Sequence, residues 1–386
     1  MRQDTVAMPP PSAPLLPSFR IQGFRAFRDL EIPRLGRVNL IVGKNNVGKT
    51  TLLEALKVYA ASVDAPWEIR DLLERRQEFR RSSPREKASS QIDIDRAFFE
   101  STQSGRTTSI KLGPLADKSS LLIQTGRMAV TPKSFLPLDG LFYAGDEPPP
   151  EDAQHMIPVL RVSQGNVPIY FASLRTLGEI NSNNFSDIFQ GQFEDAGNSL
   201  SCNLLPARGI SGASIGTLWD GIVLTSNEQS MLRALRIIAP DIERVSLVED
   251  PKQQGLRYAV IGRRGRPAAE PLHSMGDGMS RIFELALGLV SSKDGLFLVD
   301  EVENGVHYSV QEQLWRFIFE AASQLNVQVF ATTHNWDCIT AFQKAASSHP
   351  EEGMLISLAQ KGDDIKVAVF DEQDLETIAQ DSIEVR

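Results

Sequence analysis

Gly43-Lys44-Asn45-Asn46-Val47-Gly48-Lys49-Thr50 fits the pattern G-x-x-x-x-G-K-[ST] at every defined position, and Thr51 follows it. The preceding GRVNLIVG reads as a short strand, and the following TLLEALKVYA places its apolar residues at helical spacing. A strand, a glycine-bounded loop and a helix in that order form a cradle for phosphate. Gly43 and Gly48 let the backbone curl until successive N–H groups face one anion. Lys49 brings a mobile positive charge to the β and γ phosphates, and Thr50 offers a hydroxyl to Mg²⁺. The helix beginning there aims its positive dipole end at the ligand. The expectation is ATP with Mg²⁺, held by the run from Gly43 to Thr51.

The other half of such a site lies in the last third of the chain. Gly295 to Glu301 reads GLFLVDE, a buried apolar strand ending in two carboxylates. Asp300 suits the Mg²⁺ shell, directly or through water. Glu301, one residue on, is expected to point the opposite way off the strand and to polarise an attacking water. A second apolar strand, VQVFATTH, ends in Thr332, Thr333 and His334. A histidine there can bond the γ phosphate and the attacking water. Ahead of both strands, Ser274, Gly276 and Gly278 surround Asp277 at the start of a helix with apolar positions Ile282, Leu285, Ala286 and Leu289. Glycines and a serine opening a helix form a second anion site. Two phosphate-binding helix starts in one chain suggest that two subunits share each ATP.

The remaining text is less specific. The chain has 386 residues, 41% hydrophobic and 23% charged, which is ordinary globular composition. Its net charge of −9 does not indicate nucleic acid as a partner, although a local basic patch leaves room for one. Residues 67 to 87 hold seven basic residues, from Arg70 to Lys87, beside five acids, which reads as a solvated, salt-bridged helix. The two cysteines, Cys202 and Cys338, have no metal-type spacing and suit a reducing, cytoplasmic setting. No apolar run is long enough for a membrane span. Residues 1–18, with Pro9, Pro10, Pro11, Pro14 and Pro17, read as a stiff, disordered lead-in. VPIYFASLRT reads as a strand, and NEQSMLRALRIIAP as a helix stopped by Pro240.

Taken in this order, the motifs resemble the ABC-type ATPase heads, among them the SMC class and the OLD (overcoming lysogenization defect) family. The resemblance covers the chain from Phe19 onward. It is strongest to the bacterial OLD-like AAA-type ATPases, which carry SMGDGMSR where transporters carry LSGGQ, and show DEVENGVHYSVQ and ATTHNWDCI much as they stand here. It implies an α/β fold of the ABC/SMC-type P-loop head, a mixed sheet with flanking helices, an N-terminal antiparallel β subdomain and a helical insertion. The implied divisions are an N-lobe over 19–62, inserted subdomains over about 63–265, and a C-terminal part over about 266–386. Ser274, Gly276, Asp277 and Gly278 would act in trans on the ATP held by a partner's Lys49 and Thr50. Arg25 in the FRAF segment would lie near the nucleotide, with Arg20 and Arg28 as neighbours of similar claim. Gln91 is a candidate for the glutamine loop by position alone. The stretch from Asn335 to Arg386 leaves little room for the Toprim nuclease that many OLD proteins carry. The expected role is therefore an ATP-driven switch, a homodimer or larger assembly, acting as sensor or scaffold for a separately encoded nuclease or toxin in anti-phage defence. The alternative is an SMC-like DNA-repair ATPase. No long a/d heptad arm and no N-K-x-D motif appear, which speaks against an SMC arm and a GTPase.

Overall fold

The computed structural model describes residues 13–79, 92–101, 105–106, 108–116, 119–129, 142–144, 156–178, 199–253, 255–371 and 374. At its centre lies a six-stranded sheet in the order Cys202–Leu205, Leu296–Val299, Gln328–Thr332, Val38–Gly43, Gly353–Lys361, Asp364–Phe370. Neighbours among the first five run parallel, and Asp364–Phe370 closes the edge antiparallel. The strands around Val38–Gly43 are buried and mostly apolar because both faces are covered, the polar exceptions including Asn39 and Gln328. Val38, Leu40 and Val42 enter one core cluster while Ile41 enters another. Likewise Phe297 and Val299 face the first cluster, and Leu296 and Leu298 the second. The period of two thus splits each strand between two cores.

On one side of the sheet pack the helices Asp277–Val290, Tyr308–Leu325 and Trp336–Ala346. Trp315 meets Phe342 edge to face at 5.0 Å, and both are buried. On the other side lies the helix Lys49–Ala61, under the antiparallel sheet. That second sheet is seven-stranded and joins the hairpin Phe19–Phe24 and Phe27–Ile32 to strands between Ser109 and Ser173. A three-stranded sheet, Ile242–Glu249, Arg257–Arg263 and Glu270–Pro271, leads into the final third.

Several expectations shift at the boundaries. The Pro-rich lead-in is docked at its last residues rather than loose to Ser18. Leu16 is buried, its N–H donates to Gln328 Oε1 at 2.8 Å, and its carbonyl accepts from Gln328 Nε2 at 2.8 Å. The helix placed before Pro240 runs from Ser226 to Leu235 only, capped by the Thr225 side chain. Arg236 leaves it to donate to the carbonyl of Ile242, so the stop precedes the proline. The strand expected over VPIYFASLRT ends at Ser173, and a short helix, Leu174–Gly178, takes the rest. The basic segment carries a helix, Ala65–Arg75, laced by Arg75–Asp71 at 2.9 Å and by Arg76–Glu54 at 2.7 Å. Gln91 lies outside the described residues.

Candidate functional site

The carboxyl ends of Val38–Gly43, Leu296–Val299 and Gln328–Thr332 converge, which is where open parallel sheets bind ligands. The phosphate loop leaves the first of them. Gly43 sits at φ +147, and a Cβ there would lie 2.5 Å from the Leu358 carbonyl, so the strand can turn only with glycine. Lys44, Asn45 and Asn46 are exposed at the tip, while Val47, Lys49 and Thr51 are buried. Lys49 Nζ donates to the carbonyls of Gly43 at 2.9 Å and Lys44 at 3.2 Å. Burial pulls its ammonium below the ordinary lysine range, and the charges of Glu301, Asp300 and Glu303 oppose that pull.

Thr50 Oγ1 donates to Asp300 at 3.1 Å (Oδ1) and 3.2 Å (Oδ2). Thr332, which ends its strand, donates to Asp300 Oδ1 at 2.7 Å and accepts from the N–H of Glu301 at 2.8 Å. The two acids therefore part company. Strand alternation does not achieve this, since the strand stops at Val299 and Glu301 turns into the left-handed region at φ 48. A non-glycine residue held there is the kind of strain that functional sites keep. Glu301 Oε2 accepts from Asn304 Nδ2 at 3.1 Å, and Oε1 lies 3.2 Å from His334 Nδ1. Thr50, Asp300, Thr332, Glu301 and His334 are thus joined through one network, and the charges of Asp300 and Glu301 reach Lys49 beside it.

Three further residues complete it and have no motif of their own. Glu303 is buried; its Oε1 accepts from Thr333 Oγ1 at 2.7 Å and from the N–H of His334 at 3.3 Å. It fixes the backbone from which the histidine projects. Arg281 is 5% exposed and donates to the carbonyls of Pro206, Asp300 and Glu301 at 2.9, 2.7 and 3.0 Å. Burial lowers its pKa, with Glu284 foremost among the charges that hold it up. Asn304 Nδ2 also donates to Ala207 O at 3.2 Å. Only the run of polar residues in DEVEN and the arginine ending SMGDGMSR hinted at them.

Other expected residues lie apart. Arg25, at the tip of the N-terminal hairpin, donates to Glu78 at 2.7 and 3.2 Å, and its Nε lies 3.9 Å from Glu54 on the phosphate-loop helix. Arg20 instead pairs with Asp29 and Glu31, and Arg28 with Asp364. The segment Ser274 to Gly278 keeps to itself. Ser274 is exposed and donates to the Pro271 carbonyl at 2.7 Å, and a Cβ added at Gly276 would meet nothing within 4 Å. Asp277 opens the helix and is exposed. Gly278 packs so closely that a Cβ would stand 2.8 Å from the Gly305 carbonyl, in the turn after the acids. Among the described residues, no hydrogen bond or ion pair links this segment to the phosphate loop. No helix among them is long and apolar enough to cross a membrane.

Residues 16–125 match the family described as "AAA ATPase domain", and residues 218–337 the family described as "AAA domain, putative AbiEii toxin, Type IV TA system". Two uncharacterized proteins of Methanocaldococcus jannaschii are similar over short stretches. MJECL10 is 38% identical over 48 residues, 12% of this chain and 22% of that protein. MJECL11 is 32% identical over 91 residues, 24% of this chain and 80% of that protein. An ATP/GTP phosphatase of Helicobacter pylori is 22% identical over 351 residues, covering 84% of this chain and 86% of the relative. Among solved structures, an SMC head bound to the C-winged helix domain of ScpA superposes with a TM-score of 0.50 at 11% identity, covering 95% of this chain and 100% of the other. Two segments of the chain thus match AAA-type ATPase domain families, on a fold similar to that of an SMC head.

Proposed function

We propose that the chain binds ATP through Gly43–Thr51, hydrolyses it with Glu301 as base, and closes head-to-tail on a second copy as a switch. The observation that carries this reading is the bonded network of Thr50, Asp300, Thr332, Glu301 and His334, with the buried Lys49 beside it, at the ends of three parallel strands. The Thr50 hydroxyl and the Asp300 carboxylate, oxygen donors 3.1 Å apart, fit a hard cation and would hold Mg²⁺. When bound, such an ion would supply positive charge against the phosphate oxygens. Lys49 exchanges the loop carbonyls for phosphate oxygens. Glu301, steadied by Asn304, takes the proton of the attacking water, and His334 orients the γ phosphate.

The exposed, locally bonded segment from Ser274 to Gly278 supports completion of the site by a second copy. A mixture of Lys49→Ala and Ser274→Arg chains, each inactive alone, is expected to recover about one working site per mixed pair. Equal-ratio mixing followed by phosphate release measures it. No recovery at any ratio sinks the trans arrangement.

We infer further that this switch governs a separately encoded nuclease or toxin during phage infection. The match of residues 218–337 to a family described by a type IV toxin–antitoxin system supports a role of that kind. Co-expression with the neighbouring gene should protect cells against members of a phage panel, and Lys49→Ala should abolish protection. Protection that is absent throughout, or equal in the variant, moves the DNA-processing reading ahead.

A further inference from the structure

The loop after strand Cys202–Leu205 runs Pro206-Ala207-Arg208 along a cavity that Thr50 and Asp300 also line. Three bonds fasten it to the acid-bearing turn and to the helix that carries Arg281. The N–H of Asp300 donates to Leu205 O at 2.9 Å, Arg281 to Pro206 O at 2.9 Å, and Asn304 to Ala207 O at 3.2 Å. Both side-chain donors also reach the acids themselves, Arg281 through the carbonyls of Asp300 and Glu301, and Asn304 through Glu301 Oε2. Beyond the loop, the N–H of Ile210 donates to Glu284 Oε1 at 3.4 Å. The loop is therefore anchored on both sides of Arg208.

Arg208 itself is exposed, and among the described residues its guanidinium makes no hydrogen bond or ion pair. It lines a cavity of about 330 Å³ together with Thr50 and Asp300. The other cations on that wall are already committed: Lys57 to Glu68 at 2.7 Å, Arg75 to Asp71 at 2.9 Å and Arg76 to Glu54 at 2.7 Å. Among the described residues, Arg208 is the cation of that wall without an acid.

We propose that Arg208 binds the terminal phosphate of the nucleotide and so distinguishes triphosphate from diphosphate. The inference rests on the ATPase reading above. With Lys49 and Thr50 on the β and γ phosphates, the terminal phosphate would lie beside Asp300, which lines the same cavity as Thr50 and Arg208. A guanidinium presents paired N–H donors that match phosphate oxygens, and a fixed cation there stabilises charge spread over the transferred group. A diphosphate gives Arg208 nothing to bond. Anchoring by Arg281 and Asn304 carries the same contact to the backbone of the acids.

The test uses the full chain with Mg²⁺ and compares wild type, Arg208→Ala and Arg208→Lys. Calorimetric titration reads ATP and ADP affinity, phosphate release reads turnover, and melting without nucleotide reads the fold. Arg208→Ala is expected to weaken ATP binding about ten- to a hundredfold with ADP binding nearly unchanged, and to slow turnover about a hundredfold or more. Arg208→Lys should restore part of the ATP affinity and little of the turnover, because an ammonium is a point charge. Wild-type turnover with an unchanged ratio of ATP to ADP affinity in Arg208→Ala overturns the proposal. So does an equal loss for both nucleotides, which would make Arg208 a residue of the loop's structure. If wild type neither binds nor hydrolyses ATP, the ATPase reading has failed first, and this inference with it.

Discussion

Lys49→Ala is expected to lower ATP affinity by roughly two to three orders of magnitude, the loss of charge-assisted bonds to two phosphates at once. The side chain is buried and surrounded by Asp300, Glu301 and Glu303. Its removal leaves three carboxylates without their cation at the place where phosphates must arrive. Calorimetry with ATP and Mg²⁺ measures the change, and a melting curve without nucleotide separates it from unfolding. Wild-type affinity in the variant would remove the phosphate loop from the site. The same burial makes binding pH-dependent on the alkaline side. In the folded chain Lys49 loses its proton below its usual value of 10.5, so ATP affinity falls as pH rises through that lowered value. Between it and 10.5 the unfolded chain holds more protons, so the stability of the nucleotide-free fold rises with pH across that window as the cost of burying the charge is relieved.

The second large effect belongs to Glu301→Gln. Turnover should fall by about two to four orders of magnitude while ATP binding persists, since an amide cannot accept the proton of water. The substitution is conservative in space: the amide oxygen can still accept from Asn304, which donates to Glu301 at 3.1 Å. The variant should accumulate with ATP bound, and as a dimer or larger assembly on a sizing column with ATP and Mg²⁺. Single-turnover phosphate release measures the chemical step. Equal rates in variant and wild type would take the role of base away from Glu301.

What could be read in the sequence was what is local. The phosphate loop, the acids after GLFLV and the histidine after VQVFATT each occupy a few consecutive residues, and the parallel sheet brings their strand ends together. Long-range pairings were silent. Gln328 docks Leu16 from 312 residues away, so a proline-rich segment that composition marks as loose is held at its end. Arg25 could not be told from Arg20 and Arg28, because its partner Glu78 has no sequence signal. Nor could Glu301 be oriented by counting along a strand that had already ended. Glu303 and Arg281 were within sight in their motifs, but their tasks depend on backbone carbonyls and N–H groups that no spacing announces.

Arg281 belongs to the helix that begins at the exposed segment, yet it is bonded to the carbonyls of both acids. Hydrogen bonds to a charged group contribute about 1.5–3 kcal/mol each, so this helix cannot slide along its axis and leave the acid turn behind cheaply. The helix start and the turn therefore move as one lever. Thermodynamic reciprocity follows: whatever free energy a ligand at one end delivers to the other, a ligand at the other end returns in equal measure. In a closed pair, where each helix start would face the other copy's nucleotide, two ATP molecules held far apart would each report on the other's presence.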